Sequence, residues 1–415
     1  MQTHANSIST KKTLDSFRTQ VEEIKEEGMR QNGFAPVVIC QLTHSGRYAK
    51  PEGVPAPLIA YNNPLFEKEQ PIDKSRIVSD DKLKRLEEAF GATALLAQEA
   101  GFDGADIKCC HRYLLSEMLS AFTRPGDYGG AFENRTRLLR NAIFAAKGAT
   151  SGEFLITSRV NLYDGFAYPY GFGVSPTGGL MPDLTEPKAL VTLLHEELRL
   201  PMLDFTIGNP YVNPHVNRPY DGGPYVPDEH PLEGVARMLG CIGQLKKAFP
   251  SLCVIGSGFS YLRQFSPYLA AGAVEQSVCD LAGFGRIGVR LPDFPRDTLY
   301  GEGFNARKTC IACGKCSALC AQAQSRGAWC AMGKPICRFI RRIAVYKQEV
   351  YLETLNFSRS VNRKRRSERY AAKDCHRHRR TQGHRPRLRG KAAYGWLPCD
   401  RHRAECGCAH GRYWH

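Results

Sequence analysis

Residues 108–113 bring a lysine, a histidine and a tyrosine close together: Lys108, His111 and Tyr113, inside the stretch GFDGADIKCCHRYLLSE of residues 101–117. A cation, an imidazole and a phenol can bind and protonate a polar ligand if something rigid aims them at one point. The local pattern supplies that support. A helix predicted over 79–100 ends at GFDG, a short buried strand follows over 105–108, and the chain turns at Cys-Cys-His-Arg-Tyr. The three side chains therefore sit at and just beyond the carboxyl end of a strand, the edge at which parallel α/β sheets bind ligands. Taken alone, the stretch is equally compatible with an ordinary polar loop.

Strands and helices alternate along the chain. Helices are predicted over 14–29, 79–100, 133–147, 186–198, 232–249 and 266–275; strands over 35–41, 105–108, 154–158, 202–206 and 253–255, and the stretch 281–286 closes the series. The helix over 79–100 carries Leu83, Leu86, Phe90, Ala94 and Ala97 at three- and four-residue steps, behind Ser79 or Asp80 as a cap. APVVICQ at 35–41 is a continuous apolar run, the form of a strand buried on both faces. This rhythm predicts a parallel sheet with helical crossovers. No GxGxxG follows the first strand, so a (β/α)8 barrel is expected rather than a doubly wound open sheet. Six strand–helix units are readable, leaving two strands unaccounted for.

Several strand ends suit a flavin mononucleotide. A phosphate needs backbone N–H groups at glycine-rich turns plus a cation, and in barrels that site follows the last two strands. Gly256-Ser257-Gly258 and Gly283-Phe284-Gly285-Arg286 stand there in order. A flavin ring needs an amide for its pyrimidine edge and a positive charge near N1, which Gln41 and Arg159 can supply. Each feature is weak by itself; the set is more specific.

These residues carry a family resemblance. QLTHSGR (41–47), the 101–117 stretch, TRPGDYGG (123–130) with ENR (133–135), GNPYVNPHVNRPYD (208–221), VIGSGFS (254–260) and GFGR (283–286) resemble the old yellow enzyme family, in particular its iron–sulfur, 2,4-dienoyl-CoA reductase-like branch of NAD(P)H:flavin oxidoreductases. The resemblance covers roughly 35–300. It implies an FMN-bearing TIM barrel that takes a hydride from NADH or NADPH and passes it to an electron-poor alkene of an enone or enoyl substrate. By position it assigns Gln41 to the flavin pyrimidine, Arg159 to the N1–O2 edge, and Gly256, Ser257, Gly258, Gly285 and Arg286 to the phosphate. Lys108 and His111 fall on the pair that grips the substrate carbonyl, and Tyr113 on the proton donor, a role that suits a phenol. His215 either lines the same pocket or is a structural loop histidine. The resemblance also implies that two strand–helix units precede the 41–47 motif in the family, so the barrel is expected to lack its first two strands.

Cysteine and charge are unevenly spread. Cys310, Cys313, Cys316, Cys320, Cys330 and Cys337 fall close together, and Cys310-x2-Cys313-x2-Cys316 suits a [4Fe–4S] cluster. The resemblance favours Cys330 over Cys320 as fourth ligand; zinc or free thiols are the other readings. Of the net charge of +16, +13 lies in residues 359–415, which hold 17 Lys+Arg against 4 Asp+Glu. That tail reads as disordered and basic, or as a nucleic-acid arm or a further metal site. The organisation expected is a helical segment at 1–34, an FMN-binding barrel at 35–300, a cysteine-rich segment at 301–345 and a basic tail at 346–415. Nothing predicts a transmembrane span or a secretory leader, so a cytoplasmic enzyme acting on a small unsaturated carbonyl compound is expected, with no membrane partner and no nucleic-acid partner beyond what the tail offers. The alternative is a catalytically inactive remnant, or a binding protein acting through its basic tail.

Overall fold

The structure, a computed structural model, describes residues 11–51, 54–223, 225–301, 303–313 and 350–351. They all lie in one compact unit, Met1–Phe357; the other unit, Ser358–His415, which holds nearly all of the basic tail, falls outside the described residues. In chain order the first elements are α1 (Lys11–Asn32), β1 (Ile39–Thr43), α2 (Asp80–Glu99), β2 (Gly104–Ile107), α3 (Leu114–Leu119), α4 (Phe132–Ala149) and β3 (Leu155–Asn161). Then follow α5 (Thr185–Val191), β4 (Met202–Thr206), α6 (Pro214–Asn217), α7 (Pro231–Ala248), β5 (Cys253–Gly256), α8 (Ser266–Glu275), β6 (Leu281–Ala282), α9 (Arg286–Arg290), α10 (Phe294–Tyr300) and β7 (Val350–Tyr351).

Strands β1 to β6 lie side by side in sequence order, and every pairing is parallel. That order decides between the two α/β architectures. A doubly wound sheet reverses direction at a switch point, whereas a barrel advances one strand at a time. This sheet advances throughout. The two-residue β7, which the sequence pattern did not announce, pairs in parallel with Leu42 and Thr43 on the outer side of β1. Among the described residues the sheet is open between β6 and β7.

The two faces of the strands differ sharply. Cys40 and Leu42, Ala105 and Ile107, Ile156 and Val160, Leu203 and Phe205, and Val254 join one apolar core. Helix residues Leu83, Leu86, Phe90, Leu138, Leu139, Ile143, Met238 and Leu245 pack into the same core. The alternate positions bear Gln41, Asp106, Lys108, Thr157, Arg159, Asn161, Asp204, Thr206 and Ser257. Since successive strand residues point to opposite faces, apolar side chains meet the helices and the polar ones line the other side.

α2 is capped by Ser79, whose side chain accepts from the Lys82 N–H, as the sequence suggested. α1 docks on its far end: Phe17 packs on Phe102, with ring centroids 6.2 Å apart, and Lys25 pairs with Asp103 at 2.7 Å. Close strand contact demands glycine at one point. A Cβ on Gly104 would lie 2.5 Å from the Leu155 carbonyl oxygen and 2.8 Å from its Cβ. Replacing Gly104 with Val should therefore push β2 off β3 and cost about 1–3 kcal/mol, read as a lowered midpoint in denaturant unfolding; an unchanged midpoint would contradict the packing described.

Candidate functional site

The inner face of the sheet carries a cross-strand ladder of polar groups. Gln41 on β1 stands opposite Asp106 on β2, and its Nε2 donates to Asp106 Oδ2 at 2.7 Å. Asp106 Oδ1 accepts from the Arg159 backbone N–H at 2.7 Å. Arg159 on β3 stands opposite Asp204 on β4, with Nε 3.0 Å from Oδ2. Burial pushes the Asp204 carboxyl up to about 6, with Arg159 opposing the shift and Asp106 adding to it. Asp106 is likewise raised by burial, against its hydrogen bonds from Gln41 and Arg159. Arg159 Nε and Asp204 Oδ1 are buried with no hydrogen-bond partner among the described residues. Such orphaned groups on a polar inner wall fit a bound polar ring better than an empty core.

The loop after β2 is built to present its side chains. His111 and Arg112 both have positive φ, 63° and 58°. Non-glycine residues are uncommon there, so packing must hold them. Arg112 does so: it is fully buried, and its Nη1 donates to Asp164 Oδ2 at 2.9 Å, to Ser120 Oγ at 2.6 Å and to the Tyr170 carbonyl at 2.9 Å. With Arg112 turned inward, His111 and Tyr113 on either side are carried to the strand edge. His111 Nε2 lies 3.3 Å from Asn217 Nδ2 on α6. Tyr113 is 4% exposed, and its hydroxyl shares a 2.8 Å hydrogen bond with that of Tyr211, which is 51% exposed. The Lys108 ammonium sits 3.6 Å from the centre of the Tyr113 ring. Tyr48 packs on both phenols, with centroids 5.8 Å from Tyr113 and 4.3 Å from Tyr211, and its hydroxyl accepts from Asn209 at 2.9 Å.

The end of β1 is tied to the same place. The Leu114 N–H at the start of α3 donates to the His44 carbonyl at 3.1 Å. Arg47 pairs with Glu67 and with the fully buried Glu117 of α3. His44 Nδ1 accepts from the Gly46 N–H at 3.1 Å, and burial, with Lys82 adding to it, pushes the imidazole down to about 4.

Residues 2–172 match the model of the NADH:flavin oxidoreductase / NADH oxidase family. The NADPH dehydrogenase of Clostridium acetobutylicum is 32% identical over 171 residues, 41% of this chain and 46% of the relative. That of Bacillus subtilis is 33% identical over 147 residues, 34% of this chain and 39% of the relative. The chain thus spans less than half the length of these relatives. Among solved structures, the old yellow enzyme homologue from Zymomonas mobilis superposes with a TM-score of 0.51 at 20% identity, over 72% of this chain and 74% of that one. 2-Naphthoyl-CoA reductase in complex with 2-naphthoyl-CoA gives 0.57 at 18%, over 74% and 43%. At these identities the likeness concerns the fold, and it agrees with the barrel-type strand order.

The family-matched span holds Gln41 on β1, Arg159 on β3, and Lys108, His111 and Tyr113 in the loop that leaves β2 between them. The glycine turns lie beyond it but meet each other: the Gly283 N–H donates to the Gly256 carbonyl at 2.7 Å, next to the paired Gly256 and Ala282. Gly258 has φ 106°, which favours glycine, and Ser257 Oγ donates to the Phe205 carbonyl at 2.8 Å. Gly285 is the residue before α9 and Arg286 its first. His215 points elsewhere. Its Nε2 faces Glu229 at 3.4 Å and its ring meets Tyr220 edge-on, while burial lowers its basicity; Asn217, two residues on, is the α6 side chain that reaches His111. Of the cysteines, Cys310 and Cys313 are free and half-buried, whereas Cys316, Cys320, Cys330 and Cys337 lie outside the described residues. No cluster of three metal-ligating side chains occurs among the described residues.

Sequence reasoning missed Asp106, Asp204, Arg112, Asn217, Tyr48 and Tyr211. The strand alternation that picked out Gln41 and Arg159 also marks both aspartates as inner-face residues. Nothing local distinguishes Arg112 from a surface loop arginine.

Two outcomes follow. Asp164→Ala leaves the buried Arg112 charge without its carboxylate and should cost about 3–5 kcal/mol, measured by chemical denaturation; a loss below about 1 kcal/mol would show that Arg112 does not anchor the loop. His44 is held neutral in the folded chain, so the unfolded state takes up a proton that the native state refuses as pH falls from 6.5 toward about 4. Stability should fall through that window, and His44→Asn should flatten the decline in thermal melts; an unaltered pH profile would rule His44 out as its source.

Proposed function

We propose that the chain is an FMN-dependent NAD(P)H oxidoreductase of the ene-reductase type, reducing the activated C=C bond of an enone or enoyl substrate. One observation carries the reading: Lys108, His111 and Tyr113 converge at the carboxyl end of β2, beside an inner wall bearing Gln41 and Arg159, within the family-matched residues. Bound FMN would supply two-electron exchange between a nicotinamide and the alkene. Gln41 would meet its pyrimidine edge and the Arg159 guanidinium, ion-paired with Asp204 at 3.0 Å, its N1–O2 edge. Gly256, Ser257, Gly258, Gly285 and Arg286 would hold the phosphate through backbone N–H groups and one cation.

Lys108 and His111 would hold the substrate carbonyl oxygen and draw electron density from the conjugated alkene. Tyr113 would then donate its phenolic proton to the carbon next to the carbonyl as hydride reaches the far carbon. The Lys108 ammonium against the Tyr113 ring supports this role, because a nearby cation stabilises the phenolate that proton donation leaves behind. Burial of Tyr113 keeps that interaction out of high-dielectric water. The spacing of Cys310, Cys313 and Cys316 supports a [4Fe–4S] site, with Cys330 as fourth ligand on the family resemblance alone.

The reading is tested by titrating the purified chain with FMN and following the flavin absorbance and fluorescence. One tightly bound equivalent is expected, and a protein that takes up no flavin would overturn it. Tyr113→Phe should leave flavin reduction by NADPH intact while slowing turnover of an enone by about 10²–10⁴-fold. Equal rates in the variant and the parent would remove Tyr113 from the chemistry.

A further inference from the structure

The ladder on the inner wall is not symmetric about Arg159. Both oxygens of Asp106 are engaged, Oδ1 by the Arg159 N–H at 2.7 Å and Oδ2 by Gln41 at 2.7 Å. Asp204 meets Arg159 Nε through Oδ2 alone, and its Oδ1 is buried without a hydrogen-bond partner among the described residues. A carboxylate whose two oxygens both accept from donors resists protonation more than one with an idle buried oxygen. We propose that Asp204 is a redox-linked proton site, a positioning residue that shares the Arg159 guanidinium with the flavin and takes up a proton when the flavin is reduced. This rests on the FMN reading above.

The charged and titratable groups around Asp204 are few. Arg159 faces it from β3, Asp106 and Lys108 belong to β2 and its edge, and Cys110 lies in the following loop, its thiol pushed up to about 12 by burial and so neutral. On the other side, its register partner on β5 is the apolar Ile255. The guanidinium thus pairs with Asp204 and also lies in the field of Asp106 before any ligand arrives. Negative charge developing at a flavin edge held by Arg159 adds a third claim on that cation and raises the proton affinity of the nearest poorly satisfied carboxyl. Burial already pushes that carboxyl up to about 6, so reduction moves it toward the neutral range. The step balances. Two electrons come from the nicotinamide or an electrode, one proton goes to the flavin, and a second goes from solvent to an Asp204 oxygen. The neutral carboxyl then carries an O–H that its idle oxygen can direct onto the ring edge, while Arg159 is released to that edge.

The experiment is potentiometric titration of the FMN-loaded protein at several pH values from about 7 upward, where Asp204 starts ionised, giving protons taken up per two electrons. Two are expected for the parent and one for Asp204→Asn, which keeps the shape but cannot titrate; a shift of about 59 mV per pH unit against about 30 mV expresses the difference. Equal counts in the two proteins would overturn the inference while the flavin reading stood. Should the variant not fold, a parent count of one decides against Asp204 and a count of two supports it. Failure of the parent to bind FMN would overturn the functional reading first, and this inference with it.

Discussion

Charge on the inner wall of this sheet has to be balanced within the sheet itself. Arg159, Lys108, Asp106 and Asp204 all project from the face opposite the helices, Lys108 and Asp106 buried there and Arg159 and Asp204 half-buried. A lone buried charge is costly, and a buried pair repays its desolvation only with good geometry and further hydrogen bonds. The cross-strand ladder meets that condition for Asp106 and leaves it half met for Asp204. Parallel register is what makes the ladder: Gln41 faces Asp106 and Arg159 faces Asp204 because adjacent strands run level there. A slip of one residue would turn each polar group into the helix-packed core.

The loop after β2 depends on the same economy of charge, and one arginine does most of it. Arg112 leaves the site and buries itself against Asp164, Ser120 and Tyr170, which lets two consecutive non-glycine residues hold positive φ. Such strain persists only where the surroundings over-determine it, and it gathers at functional positions. Tyr113 follows directly, buried among Lys108, Tyr48 and Tyr211. The phenol is therefore positioned by packing on two sides and by a neighbour that reaches solvent.

The family match and the geometry bear on different parts of the chain. Residues 2–172 share sequence with flavin oxidoreductases and contain the ring-facing and substrate-facing candidates. The strands from β4 onward continue the same advancing order without that match. There the fold, rather than sequence similarity, brings the two glycine turns together. The helices of the described residues include none long and apolar enough to cross a membrane.

Much of the architecture was legible in the sequence because it rests on local periodicity. The α2 apolar stripe, the six strand–helix units from 35–41 to the closing stretch 281–286 and the polar groups at their carboxyl ends follow from spacing alone, and the strand order agrees with the barrel expectation. Residues 41, 108, 111, 113 and 159 could be singled out because each stands at or just past a strand end. What periodicity cannot encode is partnership across the chain. Asn217 rather than His215 reaching His111, Tyr211 bonding Tyr113, and Asp204 meeting Arg159 are contacts between residues 45 to 106 positions apart. They exist only once the strands are in register and α6 is seated. Arg112 is the plainest case: the sequence offers a loop arginine, and only the buried carboxylate brought in from after β3 makes it the pin that holds the site open.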